Sequence, residues 1–426
     1  MQAADPLPVW HRLWRRLPAG PRRRLLTSFG AFLPLRIDRE PVSVPDGIAV
    51  VGELSRSSGL GEGARLMLRA LERLNIPHWA IDIGGALPAH VADLPSVQQT
   101  PSANAALVVH VNPPLLPFVL MGLPRSLRRG RRIIGYWSWE LPTVPASWRT
   151  GSRFVHEVWA PSEFTARALE DVVPHRVQLV PHPVALGLIT PSRLDRADFG
   201  LSRDAVVTLV SFNLASSFER KNPLAAIAAF RAAFGDRQDR VLLLKVGNPG
   251  HFSDDMRRIT DAIAGASNIR LETRVLPPGD LLALTAQCDI VLSMHRSEGF
   301  GLVLAEAMLL GKPVVATNWS GNLQFMDHSS SALIGYDLVQ SHDPRGVYSG
   351  SVWAEPNVAE AAAQLRLLAA NAELRQALGM RGRDYAAVRL GGDGLAGALA
   401  RIGLVGASPA RASVPQAACS TGASSG

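Results

Sequence analysis

The chain has 426 residues, 47% of them hydrophobic and 19% charged, with a formal net charge of +8. That length suits two domains of about 200 residues each, and the composition excludes a wholly disordered chain. Two cysteines, Cys288 and Cys419, exclude a disulfide framework and a cysteine metal site, which fits a reducing compartment.

Residues 1–44 are rich in proline and arginine, lack a sustained period and read as a basic leader. Its segment HRLWRRLPAGPRRRLL (His11 to Leu26) and the later PRSLRRGRR (Pro124 to Arg132) supply eleven arginines. Near an anionic surface each basic residue contributes about 1 kcal/mol. Trp14, Leu13 and Leu17 interleave with the leader arginines, which favours an anionic membrane surface over a nucleic-acid arm. No nucleic-acid-binding signature accompanies them, and plain solvated charge is the alternative. The longest apolar stretch, from Ala106 to Pro124, is broken by His110, Asn112 and four prolines and fails as a spanning helix. With no secretory pattern at the N-terminus, the expected location is cytoplasmic, peripheral at the inner face of the cytoplasmic membrane.

From Gly47 the pattern becomes strand, glycine-rich turn, helix: GIAVVG, SRSSGLGEGAR, LMLRALERLNI. Strand candidates follow at His78–Ile83, Ala106–Val111, Arg132–Trp137, Glu157–Pro161 and Val177–Val184, with a helix after Ser162 that Ser162 and Thr165 can cap. The chain turns polar and aperiodic around Pro191 to Phe199, so a first domain over 45–195 is expected to give way to a second over 196–385. There the alternation restarts at Val206–Asn213, Arg240–Asn248, NIRLETRVL, Asp289–Met294 and Lys312–Asn318. Gly311 sits at a helix stop. A helix over 386–406 is expected to pack back on the first domain, and 407–426, almost wholly Ala, Ser, Gly and Pro, reads as a disordered tail. Repeated strand and helix argues an α/β chain with two doubly wound, Rossmann-like sheets, which bind ligands at the carboxyl ends of their strands.

The stretch EGFGLVLAE holds two glutamates, Glu298 and Glu306, with seven residues between them. Glu298 follows a strand, Gly299 and Gly301 flank Phe300, and a helix begins there. Free N–H groups at such a start attract a phosphate or a sugar oxygen. Glu306 is expected about two turns into the helix. A strand–helix turn with one capping and one core-facing glutamate fits the same residues.

The longer segment SMHRSEGFGLVLAEAMLLGKPVVAT resembles the donor-binding segment of retaining nucleotide-sugar glycosyltransferases of the GT-B fold, in particular glycosyltransferase family 4. FERKNPLAAIAAF resembles that family's phosphate-binding turn, EVWAPSEFTARAL its capped helix and VPHPV its interdomain element. GYWSWELP, RKNP and HRSEGFG together resemble the bacterial subgroup that builds O-antigens and exopolysaccharides. The resemblance covers roughly residues 45–390, and it implies two Rossmann-like domains facing a central cleft. It places Glu298 on hydroxyls of the transferred sugar and Glu306 on the ribose, whose paired hydroxyls suit an ionised acceptor. Backbone amides of Phe300, Gly301 and Leu302 meet the sugar or diphosphate, and Asn213 lies on the same donor side.

Charge growing on the departing diphosphate needs cations and oriented amides. The family's lysine matches Lys221. Its arginine, about six residues earlier, falls near Ala215 and is missing, which leaves open whether Arg220 replaces it. The loop SGLGEGAR lacks full G-x-G-x-x-G spacing and is by itself a weak dinucleotide signal. The resemblance makes Gly61 its closest approach to the donor, with a structural turn as the alternative. Where many members carry a cleft histidine, this chain has Trp137 and Trp139 followed by Glu140. A flat face for a sugar ring and a carboxylate for the acceptor hydroxyl is one reading, and packing is the other. His110 and His182 read as structural.

The resemblance thus implies a retaining transferase that moves a hexose, such as mannose from GDP-mannose, to a polyprenyl-diphosphate-linked glycan in surface polysaccharide synthesis. Its substrate is a nucleotide-sugar, and no cofactor, metal or nucleic acid is expected. A noncatalytic sugar- or lipid-binding protein on the same scaffold and an NAD-dependent oxidoreductase are the alternatives.

Overall fold

The computed structural model describes residue 37, residues 45–84 and residues 100–404. The readings of a membrane-associating leader and a disordered tail therefore lie outside the described residues, apart from Ile37. Short apolar runs buried on both faces form the inner strands, as parallel sheets covered by helices require, while the edge strands are only partly buried.

The first sheet is built from β1 (Ile48–Gly52), α1 (Gly59–Arg73), β2 (His78–Asp82), β3 (Ala106–Val109), α2 (Leu116–Gly122), β4 (Ile133–Tyr136), β5 (Glu157–Ala160), α3 (Glu163–Glu170) and β6 (Val177–Leu179). Its six strands run parallel in the order β2-β1-β3-β4-β5-β6. A short helix α4 (Val184–Gly187) leads toward the second sheet.

The second sheet is built from β7 (Val206–Asn213), α5 (Phe218–Lys221), α6 (Pro223–Phe234), β8 (Arg240–Gly247), α7 (Ser253–Ile263), β9 (Ile269–Glu272), α8 (Pro278–Gln287), β10 (Ile290–Ser293), α9 (Leu302–Leu309), β11 (Val314–Thr317) and β12 (Ala332–Ile334). These six strands are parallel too, in the order β12-β11-β10-β7-β8-β9. The order reverses between β7 and β10. Loops after those two strands therefore splay apart and leave a crevice, the usual ligand position in doubly wound sheets.

An antiparallel hairpin that the sequence reading missed follows, β13 (Tyr336–Gln340) paired with β14 (Val352–Pro356). The chain then forms α10 (Val358–Ala370), α11 (Ala372–Arg389) and α12 (Asp393–Arg401). Asn371 separates α10 from α11 and caps the latter, its side chain accepting from the Leu374 amide. Leu395, Ala398, Leu399 and Ile402 of the last segment share a core with Ile48 and Val50 of β1. The last described segment thereby crosses back to the first sheet.

Packing decides one pair of side chains that the sequence left open. Trp137 is fully buried and meets the edge of Trp148 at 6.2 Å, and Trp139 is 4% exposed against the same ring. The reading of Trp137 as a face for a sugar ring is corrected: its indole is core, and burying such a side chain stabilises the fold by roughly 2–3 kcal/mol. No described helix is long and apolar enough to cross a membrane.

Candidate active site

The crevice between β7 and β10 is furnished by the turns that follow them. After β7, Ser217 at φ +76 caps α5 by accepting from the Arg220 amide at 3.3 Å, and Asn222 at φ +51 ends the helix before Pro223 starts the next. This tight one-turn helix delivers Arg220 and Lys221 side by side. Arg220 is 3% exposed, donating through Nη1 to the Ser297 carbonyl at 2.7 Å and to Glu298 Oε2 at 2.9 Å, and through Nη2 to the Ser216 carbonyl at 2.9 Å. Lys221 Nζ donates to Glu298 Oε1. The three residues form one cluster, with Arg220 and Glu298 buried and Lys221 partly exposed.

Burial alone raises the Glu298 carboxyl, but Lys221 and then Arg220 outweigh it and hold its pKa well below the usual carboxylate range. Burial pulls the Arg220 guanidinium down, and Glu298, Tyr348 and Glu140 more than reverse that. Burial also lowers the Lys221 ammonium, with Glu298 opposing. Breaking such a buried pair by removing one partner leaves an uncompensated charge, typically at about 3–5 kcal/mol.

The backbone around Glu298 is equally fixed. Its amide donates to Ser320 Oγ at 2.8 Å and its carbonyl accepts from Gly321 at 2.8 Å. The next carbonyl, Gly299, accepts from Ser162 Oγ at 2.6 Å and Thr165 Oγ1 at 3.2 Å, both on the capped start of α3 in the other domain. Thr165 Oγ1 also donates to the Trp139 carbonyl at 2.9 Å. A Cβ on Gly299 would lie 2.9 Å from that carbonyl, so glycine is what lets the two domains meet here. Ser162 was legible as a helix cap. Its second bond was not, because it joins residues 137 apart in the chain.

Phe300 is buried with its ring 4.9 Å from His182 and 5.0 Å from Phe325. His182 in turn meets Tyr136, which stacks on His110 at 4.4 Å, so an aromatic column runs through both domains. Burial pushes the His182 imidazole down to about 3 and takes His110 well below its ordinary value. Both rings are neutral near pH 7.

Gly301, at φ +98, precedes Leu302 at the start of α9, and no side chain caps this helix. An uncapped N-terminus beside two cations is suited to a phosphate. Glu306 is the fifth residue of α9, so it lies little more than one turn in rather than two. It points at α1, where Glu62 pairs with Arg65 at 2.6 Å and Arg69 at 2.7 Å. Burial first, then Glu62, pushes the Glu306 carboxyl up to about 8 against the pull of Arg69 and Arg65.

Two expected donor contacts carry structural duties. The Gly61 amide donates to Ser58 Oγ at 3.0 Å, and a Cβ there would sit 2.5 Å from the Glu53 carbonyl. Its lack of a side chain serves its own loop. Asn213 ends β7 in the crevice, where its Oδ1 accepts from the Ala215 amide and from Asn248 Nδ2, both at 2.9 Å. Glu140, from the first domain, reaches the cluster: its Oε1 is 3.9 Å from Arg220 Nη2, and its Oε2 accepts from Tyr348 Oη at 3.1 Å. Tyr348 was missed altogether, because a lone tyrosine in a Ser/Gly/Asp/Pro-rich loop has no periodic signal. Among the described residues no group of three His, Cys, Asp or Glu side chains converges as a metal site.

Residues 208–385, which span this crevice and its helices, match the family model described as glycosyl transferases group 1. The match takes in the second sheet from β7 onward and the helices packed on it. Over 237 residues the chain is 28% identical to a D-inositol 3-phosphate glycosyltransferase of Nocardioides sp., covering 51% of this chain and 51% of the relative. The chain spans about half the length of the curated relatives it matches. A glycosyltransferase from Rickettsia africae superposes with a TM-score of 0.60 at 14% identity, over 84% of this chain and 98% of that one. HepE of Anabaena, solved with UDP and glucose, superposes with a TM-score of 0.57 at 15% identity, over 83% and 99%. These likenesses establish the fold: the two parallel sheets are in the GT-B arrangement.

Proposed function

We propose that this chain is a retaining glycosyltransferase that moves a hexose from a nucleoside-diphosphate sugar to a hydroxyl of a lipid-linked glycan. The observation that carries the reading is the Glu298 carboxylate held between Arg220 and Lys221, beside an uncapped helix start, at the switch point of a group 1 domain. In this reading the donor diphosphate lies on the two cations and the α9 amides. Glu298 turns toward hydroxyls of the sugar, and Glu306 accepts from the ribose.

Transfer breaks the bond between the anomeric carbon and the phosphate oxygen and forms a bond from that carbon to the acceptor oxygen on the same face. Charge moves onto the leaving diphosphate, where Arg220, Lys221 and the amides stabilise it. The acceptor proton passes to a phosphate oxygen. That leaves no work for a base, in keeping with the neutral, buried His110 and His182. The reaction as written uses no cofactor or metal.

The sugar and nucleotide are narrower proposals. Mannose from GDP-mannose follows from the resemblance to O-antigen enzymes, and UDP-glucose is the alternative suggested by HepE. A second acceptor reading comes from the relatives' name, which gives an inositol phosphate in place of a lipid-linked glycan. The basic leader, with Arg125 and Arg129, would hold the chain to an anionic membrane surface, which favours the lipid-linked acceptor; Arg131 is buried on the Ser102 and Ala105 carbonyls and Arg132 lies 3.6 Å from Glu157, so neither contributes.

A thermal-shift screen with GDP-, UDP- and ADP-sugars and NAD tests the reading, since stabilisation grows with the logarithm of saturation. A shift with one nucleotide-sugar class supports it. A shift with NAD alone supports an oxidoreductase, and no shift with any nucleotide supports a noncatalytic scaffold.

A further inference from the structure

The loop between β13 and β14 is built as a rigid strap across the cleft. Asp343 organises it, its carboxylate accepting from the amides of Arg345 at 3.1 Å, Val347 at 2.8 Å and Tyr348 at 3.1 Å. Arg345 ties the strap to the second domain, donating to the Leu214 carbonyl at 3.0 Å, pairing with Asp255 and lying 4.4 Å from the Phe252 ring. Its other edge is tied to the first domain, where Thr143 Oγ1 donates to Ser351 Oγ at 2.9 Å.

The strap inserts Tyr348 where the domains meet. The side chain is 7% exposed, with its ring 5.5 Å from Trp139 and the Arg220 guanidinium 5.6 Å from its centroid. Its hydroxyl donates to Glu140 Oε2, which fixes the carboxylate with its other oxygen turned toward Arg220. Glu140 is thus the first-domain carboxylate that reaches the Arg220–Glu298–Lys221 cluster, and its orientation is set by a residue of the second domain.

We propose that Tyr348 is a positioning residue that holds Glu140 as the acceptor-hydroxyl contact, so that the acceptor side of the site is assembled from both domains. The proposal rests on the transferase reading above. Glu140 touches the substrate, and Tyr348 acts through it. Losing one hydrogen bond to a charged group corresponds to about a tenfold effect.

The test uses the full chain as wild type, Tyr348→Phe, Glu140→Gln and the double variant. Each is assayed with the nucleotide-sugar that wild type consumes from a GDP-, UDP- and ADP-sugar panel, with water and with octyl α-D-mannoside as acceptors. Tyr348→Phe keeps the ring, and melting temperatures report whether each variant folds. The expected result is a KM for the acceptor raised about tenfold in Tyr348→Phe, an unchanged Kd for the nucleoside diphosphate, and a double variant no worse than Glu140→Gln. If wild type uses water alone, the same non-additivity is expected in the hydrolysis rate. Unchanged kinetics in Tyr348→Phe, or fully additive losses, would overturn the proposal while leaving the transferase reading intact. A wild type that neither binds nor consumes any nucleotide-sugar would overturn both.

Discussion

Glu306 offers a perturbation whose size follows from its surroundings. In the ligand-free protein burial and Glu62 push its carboxyl up to about 8. A ribose held by two hydroxyl donors binds the ionised form. At pH 7 such a group is about one-tenth ionised, and at pH 9 about nine-tenths, so affinity for a nucleoside diphosphate should rise roughly tenfold across that interval and then level. Binding at pH 7 should release close to one proton. The stability of the ligand-free chain should move the other way. A carboxyl whose folded pKa exceeds its unfolded value of about 4.5 contributes stability that is lost as pH rises toward 8. Calorimetric titration with GDP or UDP from pH 7 to 9, in buffers of different ionisation enthalpy, reads both affinity and proton release. Glu306→Gln should weaken binding and flatten the profile. A pH-independent wild-type affinity, or a slope that survives in Glu306→Gln, would refute the ribose assignment.

Other outcomes follow from the same geometry. Lys221→Ala should lower turnover by about 10² or more, the usual loss on removing one preorganised charge-stabilising donor, and steady-state kinetics would expose a spectator lysine as wild-type turnover. Trp137→Ala should cost about 3–5 kcal/mol in urea unfolding while nucleotide affinity is kept; a loss of acceptor use without a loss of stability would return the indole to the site. Deleting residues 1–40 should release the chain from phosphatidylserine vesicles in a sedimentation assay without changing its melting temperature, and retained binding would assign the anchor elsewhere.

The parallel sheets were readable because their inner strands are short apolar runs closed by turn residues, as in GIAVVG and DIVLSM, and because burial on both faces of those strands leaves no competing pattern. Arg220, Lys221 and Glu298 were readable as individual candidates through the resemblance to glycosyltransferase family 4, not from spacing alone. Their fusion into one cluster was not, since it depends on Ser217 and Asn222 adopting positive φ around a single helical turn. Trp137 was ambiguous for a different reason: an aromatic residue after a strand looks alike whether it faces a cleft or a core, and only Trp148 and the helices around it decide. The β13–β14 hairpin escaped because YDLVQ is largely exposed and its partner lies beyond a polar loop, so its pairing has no local signature. The bonds from Ser162 and Thr165 to Gly299, and from Tyr348 to Glu140, are made by closing one domain on the other, a relation that no local pattern encodes.

In the proposed function Arg220, Lys221 and Glu298 form the donor end of a nucleotide-sugar transferase. Release of free nucleoside diphosphate from a panel of GDP-, UDP- and ADP-sugars, with the anomeric configuration of the product read by NMR, tests it most directly. The expected result is release from one nucleotide class, a product that keeps the donor's anomeric configuration, and release lowered by about 10² or more in Lys221→Ala. Absence of release from every donor, or a product of inverted configuration, would contradict it.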